Sequence, residues 1–240
     1  MATILAQPEF SSAVGGFFKR RPQLLIDGKW VDSVGGGRIA TVDPSSGAVV
    51  AELVDATAED VDRAVKAARR AFDDGRWSNL APAKREAALR RLADLIEERA
   101  EQLAEIEAID NGKTKTIAAR ADIPSAIAGL RYTAGWAGKI QGNHQEHWGT
   151  DGGAYHSYVR REPVGVVGAI TPWNFPIAIP AWKIAPALTV GCTIVLKPAE
   201  QTSLTALLLG DLIAEAGIPD GVVNIITGMG ETAGEALVRH

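Results

Sequence analysis

The 240 residues contain one cysteine, Cys192, so no internal disulfide framework is available, and so low a thiol count suits a reducing cytoplasm. An excess of positive charge is also missing. Lys and Arg number 25 against 29 Asp and Glu, a net charge of −4 with no basic stripe, which argues against nucleic acid as a partner. The opening stretch MATILAQPEFSSAVGGFFKRRPQ lacks the basic-then-apolar order of a secretory signal, because Lys19-Arg20-Arg21 follows its apolar residues. A flexible arm is expected over residues 1–23. No clean membrane span occurs either. Pro176 to Leu196 has about the ~20 residues a bilayer needs, but it carries Pro176, Pro180, Pro186 and Gly191, with Lys183 near its middle. It reads as strand, turn and helix inside a core, and no membrane partner is expected. Internal repeats and low-complexity tracts are absent.

What is present is the make-up of an ordinary globular protein, 46% hydrophobic and 22% charged. The length suits one large domain or two small ones. Leu24 to Val31 reads as a hairpin around Asp27-Gly28, a type I′ turn signal. Asp43-Pro44-Ser45-Ser46-Gly47 is a second turn, followed by a strand over Ala48 to Leu53. This region is expected to be simple edge structure. Thr57 opens a helix with Asp60 as an acidic variant of the capping box. Val61, Ala64, Val65, Ala68 and Phe72 form its apolar stripe, and Gly75 its stop. A second helix is expected from Pro82 to Glu98 and a third from Glu101 to Asp110, with Lys84-Arg85-Glu86 on a solvated face. Ile117 to Lys139 is helical, with a break expected near Asp122-Ile123-Pro124 because the residue before proline resists the α region.

Gln141 to Gly153 is polar and Gly-rich, and a loop is expected there. Its His144-Gln145-Glu146-His147 offers too few ligands for a zinc site, and no metal is expected. Ala154 to Arg161 alternates loosely and reads as an exposed strand, open to pairing with another chain or to a local hairpin.

From Val164 the pattern becomes βαβαβα. Val164–Ile170, Thr193–Lys197 and Val222–Ile226 are short Val/Ile-rich runs bounded by Gly or Pro, the pattern of buried parallel strands. Helices are expected over about Ile177–Val190, Ser203–Ala216 and Glu231–Arg239, with Thr202 capping the second. Crossovers of this length give parallel strands with right-handed connections. The fold class is therefore α/β, a partial doubly wound, Rossmann-like parallel sheet. A helical amino-terminal part covers 24–140, a small strand element 141–162 and the nucleotide-binding part 163–240.

Chemistry gathers just past the carboxyl ends of the first two of these strands, where open α/β sheets bind ligands. Thr171-Pro172-Trp173-Asn174-Phe175-Pro176 follows the first and Lys197-Pro198-Ala199-Glu200 the second, with AWKIAPAL between them. Together with DGKWV, DPSSG, IDNGK and GMGETAG, these motifs closely resemble the aldehyde dehydrogenase superfamily from about Leu25 to His240. The resemblance implies NAD(P)-dependent oxidation of a small aldehyde to an acid through a cysteine thioester, in a homo-oligomer whose 141–162 region joins subunits. The family's catalytic cysteine and general-base glutamate match positions beyond KPAE that this chain does not include, so the chain looks like an amino-terminal half, inactive alone. The resemblance implies cofactor contacts at Ile170, Thr171, Pro172, Trp173, Lys197, Ala199, Glu200, Gln201, Gly230 and Gly234. A carboxylate at Glu200 accepts from ribose hydroxyls and repels a 2′-phosphate, which favours NAD. Asn174 is the catalytic candidate, a side-chain amide donor for a tetrahedral oxyanion. Cys192, in an apolar run entering a strand, reads as structural. The GMGETAG turn is one residue longer than the dinucleotide fingerprint and follows the third strand. The alternative is a nucleotide-binding or structural module of this family without chemistry. The edge left by the third strand is expected to be uncovered.

Overall fold

A computed structural model describes residues 10–240. Its strands are β1 (Leu24–Ile26), β2 (Lys29–Val31), β3 (Arg38–Val42), β4 (Val49–Val54), β5 (Asn143–Trp148), β6 (Ala154–Val159), β7 (Val166–Ile170), β8 (Thr193–Lys197) and β9 (Val223–Ile225). Its helices are α1 (Ser12–Phe18), α2 (Ala58–Asp73), α3 (Pro82–Glu98), α4 (Ala100–Asn111), α5 (Lys115–Ile117), α6 (Ile123–Ala134), α7 (Ala178–Thr189), α8 (Leu204–Glu215) and α9 (Glu235–Arg239). Single π turns at Ala118–Asp122 and Gly230–Gly234 precede α6 and α9.

The main sheet runs β2-β1-β9-β8-β7, with β7, β8 and β9 parallel and β1 antiparallel to β9. β8 lies at the centre of the parallel trio and is buried at all five residues. Its side chains alternate between two cores, as strand geometry requires. Ile194 and Leu196 join the core that includes α7 and α8, and Val195 joins the one beneath α2. Helices α3, α4 and α6 pack outside α7 and α8.

Several expectations hold. Asp27 and Gly28 both have positive φ, as a type I′ turn demands. Thr57 and Asp60 form a reciprocal capping box. Helix α3 has the expected bounds, with Pro82 in its first turn.

Other expectations are corrected. The arm is not loose over its described part, because α1 forms and buries Val14; residues 1–9 lie outside the described residues. The edge of β9 is not open. The apolar Leu24–Ile26 run is buried against it, with Leu25 opposite Ile225, and β2 of the same hairpin forms an edge of the main sheet, in line with the edge structure expected there. The sheet's two edge strands are β2 and β7, and in β7 Ala169 alone is buried, so only part of the expected burial of that strand holds. The polar 141–153 segment is half strand. Its β5 pairs residue for residue with β6 in a separate two-stranded sheet, and all six β5 residues are exposed, so no hydrophobic alternation marks it. Strand β3, which pairs with β4, was not foreseen. No break separates α6 from the turn before it: Ile123 N–H bonds to Ala118 carbonyl, widening the helix by one residue ahead of Pro124.

Arg85 is not solvated. It is 7% exposed, and its guanidinium donates to the carbonyls of Thr189, Ser78 and Leu80 at 3.2, 3.3 and 2.5 Å. Beside it Trp77 Nε1 donates to Leu188 carbonyl at 2.9 Å. These two side chains, Trp77 from the α2–α3 connection and Arg85 from the first turn of α3, add donors to the carbonyls at the carboxyl end of α7, where Leu188 carbonyl also accepts from Gly191 N–H at 3.0 Å.

Candidate functional site

The register of β7 against β8 sets the site. Ile170 lies opposite Lys197, so the two strands end level, and Thr171 N–H donates to Lys197 carbonyl at 3.0 Å. The two motifs that follow these strands therefore leave the sheet side by side. The Lys197 side chain is 1% exposed, and its ammonium donates to Pro198 carbonyl and to Glu200 Oε2, both at 3.1 Å. A buried cation needs such partners. Burial opposes ionisation of Glu200, but hydrogen bonds from its own backbone N–H and from Lys197 outweigh it and hold the carboxyl below its ordinary pKa. Gln201 Nε2 donates to its other oxygen at 3.0 Å. Ala199 is buried beneath this turn, and Ser203 Oγ donates to its carbonyl at 2.8 Å.

The turn after β9 reaches the same place through one glycine. A Cβ at Gly234 would lie 3.6 and 3.7 Å from Lys197 Cδ and Cε and 3.9 Å from Ile170 Cδ1. Gly230 is exposed and has open space where a Cβ would point. The glycine the backbone requires is Gly228, with φ of 153° and room for a Cβ only 2.8 Å from that of Ala233. Being the first of the GMGETAG glycines was its only signal in the sequence.

The loop 171–176 is held by its backbone. Trp173 carbonyl accepts from Asn111 Nδ2 at 2.8 Å and Thr202 Oγ1 at 3.1 Å. Asn174 carbonyl accepts from Lys113 Nζ at 3.1 Å, and Ile177 N–H donates to Glu107 Oε1 at 3.4 Å. Pro172, Trp173 and Asn174 are exposed. Among the described residues the Asn174 carboxamide makes no hydrogen bond, so it is not spent on its own turn. Thr171 hydroxyl is buried without a partner. The structure thus brings Ile170, Thr171, Lys197, Ala199, Glu200 and Gly234 together, with Asn174 on the adjoining loop.

Sequence reasoning missed the group beneath the loop. IDNGK supplies Asp110, Asn111 and Lys113, and Glu107 and Asp122 complete it. Asp110 Oδ2 accepts from Leu204 N–H at 2.8 Å, while Ser203, not Thr202, occupies the N-cap position of α8 and makes no side-chain cap. Asp122 pairs with Lys113 Nζ, and Glu107 Oε1 lies 3.9 Å from it. Burial pushes Glu107 up to about 7, against the pull of the Lys113 charge, and pushes Asp110 well above the carboxylate range. Because folding raises the Glu107 pKa above its unfolded 4.5, the folded state binds the proton more tightly. Its stabilising share is complete below 4.5 and lost as pH rises through about 7. Glu107→Gln should therefore stabilise the chain at pH 8 relative to wild type by on the order of 2 kcal/mol, with the gain fading by pH 5. Urea unfolding at both pH values checks this; an equal difference at the two would refute it.

Cys192 is 2% exposed in the core, as its apolar neighbours imply. His144 Nε2 and His156 Nδ1 are 3.1 Å apart across the β5–β6 hairpin, and no group of three or more His, Cys, Asp or Glu suited to a metal occurs among the described residues.

The profile of the aldehyde dehydrogenase family matches residues 30–240. The chain belongs to that family. An aldehyde dehydrogenase of Arabidopsis thaliana, family 2 member B4, is 50% identical over 218 residues, 91% of this chain and 40% of its own. The aminoacetaldehyde dehydrogenase of Pseudomonas aeruginosa is 44% identical over all 240 residues, 47% of its length. A Bacillus cereus aldehyde dehydrogenase, solved as an NAD+ complex, superposes with a TM-score of 0.92 at 45% identity over 98% of this chain and 47% of that one. This aldehyde dehydrogenase chain thus spans less than half the length of each of these relatives, and its fold is the family's.

Proposed function

We propose that this chain is the cofactor-binding amino-terminal part of an NAD-dependent enzyme that oxidises an aldehyde to a carboxylic acid through a cysteine thioester. The observation that carries the reading is the level ending of β7 and β8. It sets an ionised Glu200, the Lys197 ammonium and the Asn174 amide along one edge of the sheet. This donor set fits NAD. A carboxylate and an ammonium side by side suit ribose hydroxyls, and the unpaired Thr171 hydroxyl offers one more polar contact. The NAD+ complex of the Bacillus cereus relative supports the choice.

When bound, NAD accepts the hydride that leaves the substrate carbon. The chain's own residues bind and orient. Lys197 and Glu200 would hold the ribose, with Gly234 of the turn after β9 lying beside the Lys197 stem. Asn174 offers an N–H to the oxygen on which charge develops. The thioester-forming cysteine and the general-base glutamate come, as in the family, from beyond the 240 residues. The β5–β6 hairpin, exposed at every strand residue but Ser157 and presenting Trp148 and Tyr158 to solvent, is assigned to the contact between subunits of a homo-oligomer. The cytoplasm is the proposed setting; among the described residues no helix is long and apolar enough to cross a membrane.

The test uses the chain completed by a carboxy-terminal half of the family, called the completed enzyme below. Its kcat/KM for NAD should exceed that for NADP, and Glu200→Ser should narrow the ratio by about tenfold, roughly the 1.4 kcal/mol of one lost charge repulsion. A wild type that uses NADP equally well sinks the reading.

A further inference from the structure

The Asn174 loop is exposed, yet its carbonyls are tied down by side chains from a different part of the chain. Asn111 and Lys113 stand at the end of α4 and just beyond it, 62 and 61 residues before the carbonyls they hold at 2.8 and 3.1 Å. Lys113 is 14% exposed, pairs with Asp122, and sits 4.8 Å from the centre of the Phe175 ring. One ammonium therefore touches two successive loop residues and a buried carboxylate. An ammonium has three donors and no acceptor, so these partners fix its direction. The carboxylate that anchors it lies in the π turn, whose extra residue shifts Asp122 relative to a regular helix.

We propose that Lys113 is a positioning residue for the Asn174 amide. It is anchored by Asp122, holds the Asn174 carbonyl, and so sets where the side-chain N–H points. The inference rests on the functional reading above, in which that amide meets the oxyanion. Lys113 touches no reacting atom and acts through Asn174. Misplacement of a catalytic group by about 1 Å costs up to ~10² in rate, so the tie has a kinetic consequence.

Two measurements test it. In this chain, hydrogen exchange of the peptide covering 173–179 should quicken about tenfold in Lys113→Met, while exchange over β8 stays unchanged. Because Lys113→Met strands a buried carboxylate, Lys113→Met/Asp122→Asn is measured beside it and should behave alike. Unchanged exchange over 173–179 in the pair overturns the proposal whatever the activity. In the completed enzyme, Lys113→Met should lower kcat about tenfold or more with the KM for NAD within about twofold, and Lys113→Arg should recover part of the loss. In an Asn174→Ala background Lys113→Met should cost less than about twofold, since the interaction it serves is gone. Fully multiplicative losses overturn the proposal. Failure of the functional reading shows differently, as a completed wild type without turnover or an Asn174→Ala enzyme as fast as wild type.

Discussion

Asn174→Ala is expected to lower kcat of the completed enzyme by ~10²–10³, the usual loss for one oxyanion donor, with NAD affinity little changed. Four hydrogen bonds between main-chain atoms of residues 173–177 and side chains elsewhere hold the loop, which leaves the Asn174 carboxamide free of its own turn. Truncating it removes a donor without removing a tie. The effect should therefore fall on the chemical step and not on folding or cofactor binding. Single-turnover kinetics check it, and an unchanged rate in a chemistry-limited variant would count decisively against the role.

The reason so much could be read from the sequence, and the reason some could not, is the range of the interactions involved. Thr193 to Lys197 announces β8 because a central strand buried on both faces is apolar throughout, bar its ends. Thr57 and Asp60 announce a helix start because a capping box closes over three residues. The place of Asn174, Lys197 and Glu200 at the carboxyl edge of the sheet was legible because Lys197 ends β8 and the other two lie within four residues of a strand end. Arg85 was not legible. Its burial depends on the carbonyl of Thr189, 104 residues away. The same holds for Asp110, which caps α8 across 94 residues in place of the local Thr202. Strand β1 reads as half of a hairpin because its partner β2 is close in sequence, while its pairing with β9 spans the whole chain. Strand β5 escaped for a different reason: an all-exposed strand carries no period-two pattern.

The 240 residues by themselves should form no NADH from a short aldehyde. Thioester chemistry needs an accessible thiolate, and the one thiol present is Cys192, 2% exposed. Its neighbours Gly191, Thr193 and Ile194 lie in the core, and its backbone N–H bonds to Ala187 carbonyl at 2.9 Å as the chain enters β8. A thiol buried in this way acts as a small apolar side chain and is out of a substrate's reach. The edge strand β7, in which Ile170 is 45% exposed and before which Val164 is 82% exposed, should also make the chain prone to association. The assay is absorbance of NADH with purified chain, and Cys192→Ser serves as the control. Turnover that is present in the chain and lost in Cys192→Ser would overturn the structural reading of that residue.

The central claim is that the carboxyl ends of β7 and β8 form the cofactor face. A crystal structure of the completed enzyme with NAD tests it most directly. The adenosine ribose should lie within hydrogen-bond distance of Lys197 Nζ and the Glu200 carboxylate, with Asn174 on the neighbouring loop turned toward the substrate side. A cofactor found instead in the cavity of about 400 Å³ that Phe18, Trp30, Val50 and Leu207 help to line, with Lys197 and Glu200 still bonded only to each other and their own turn, would contradict it.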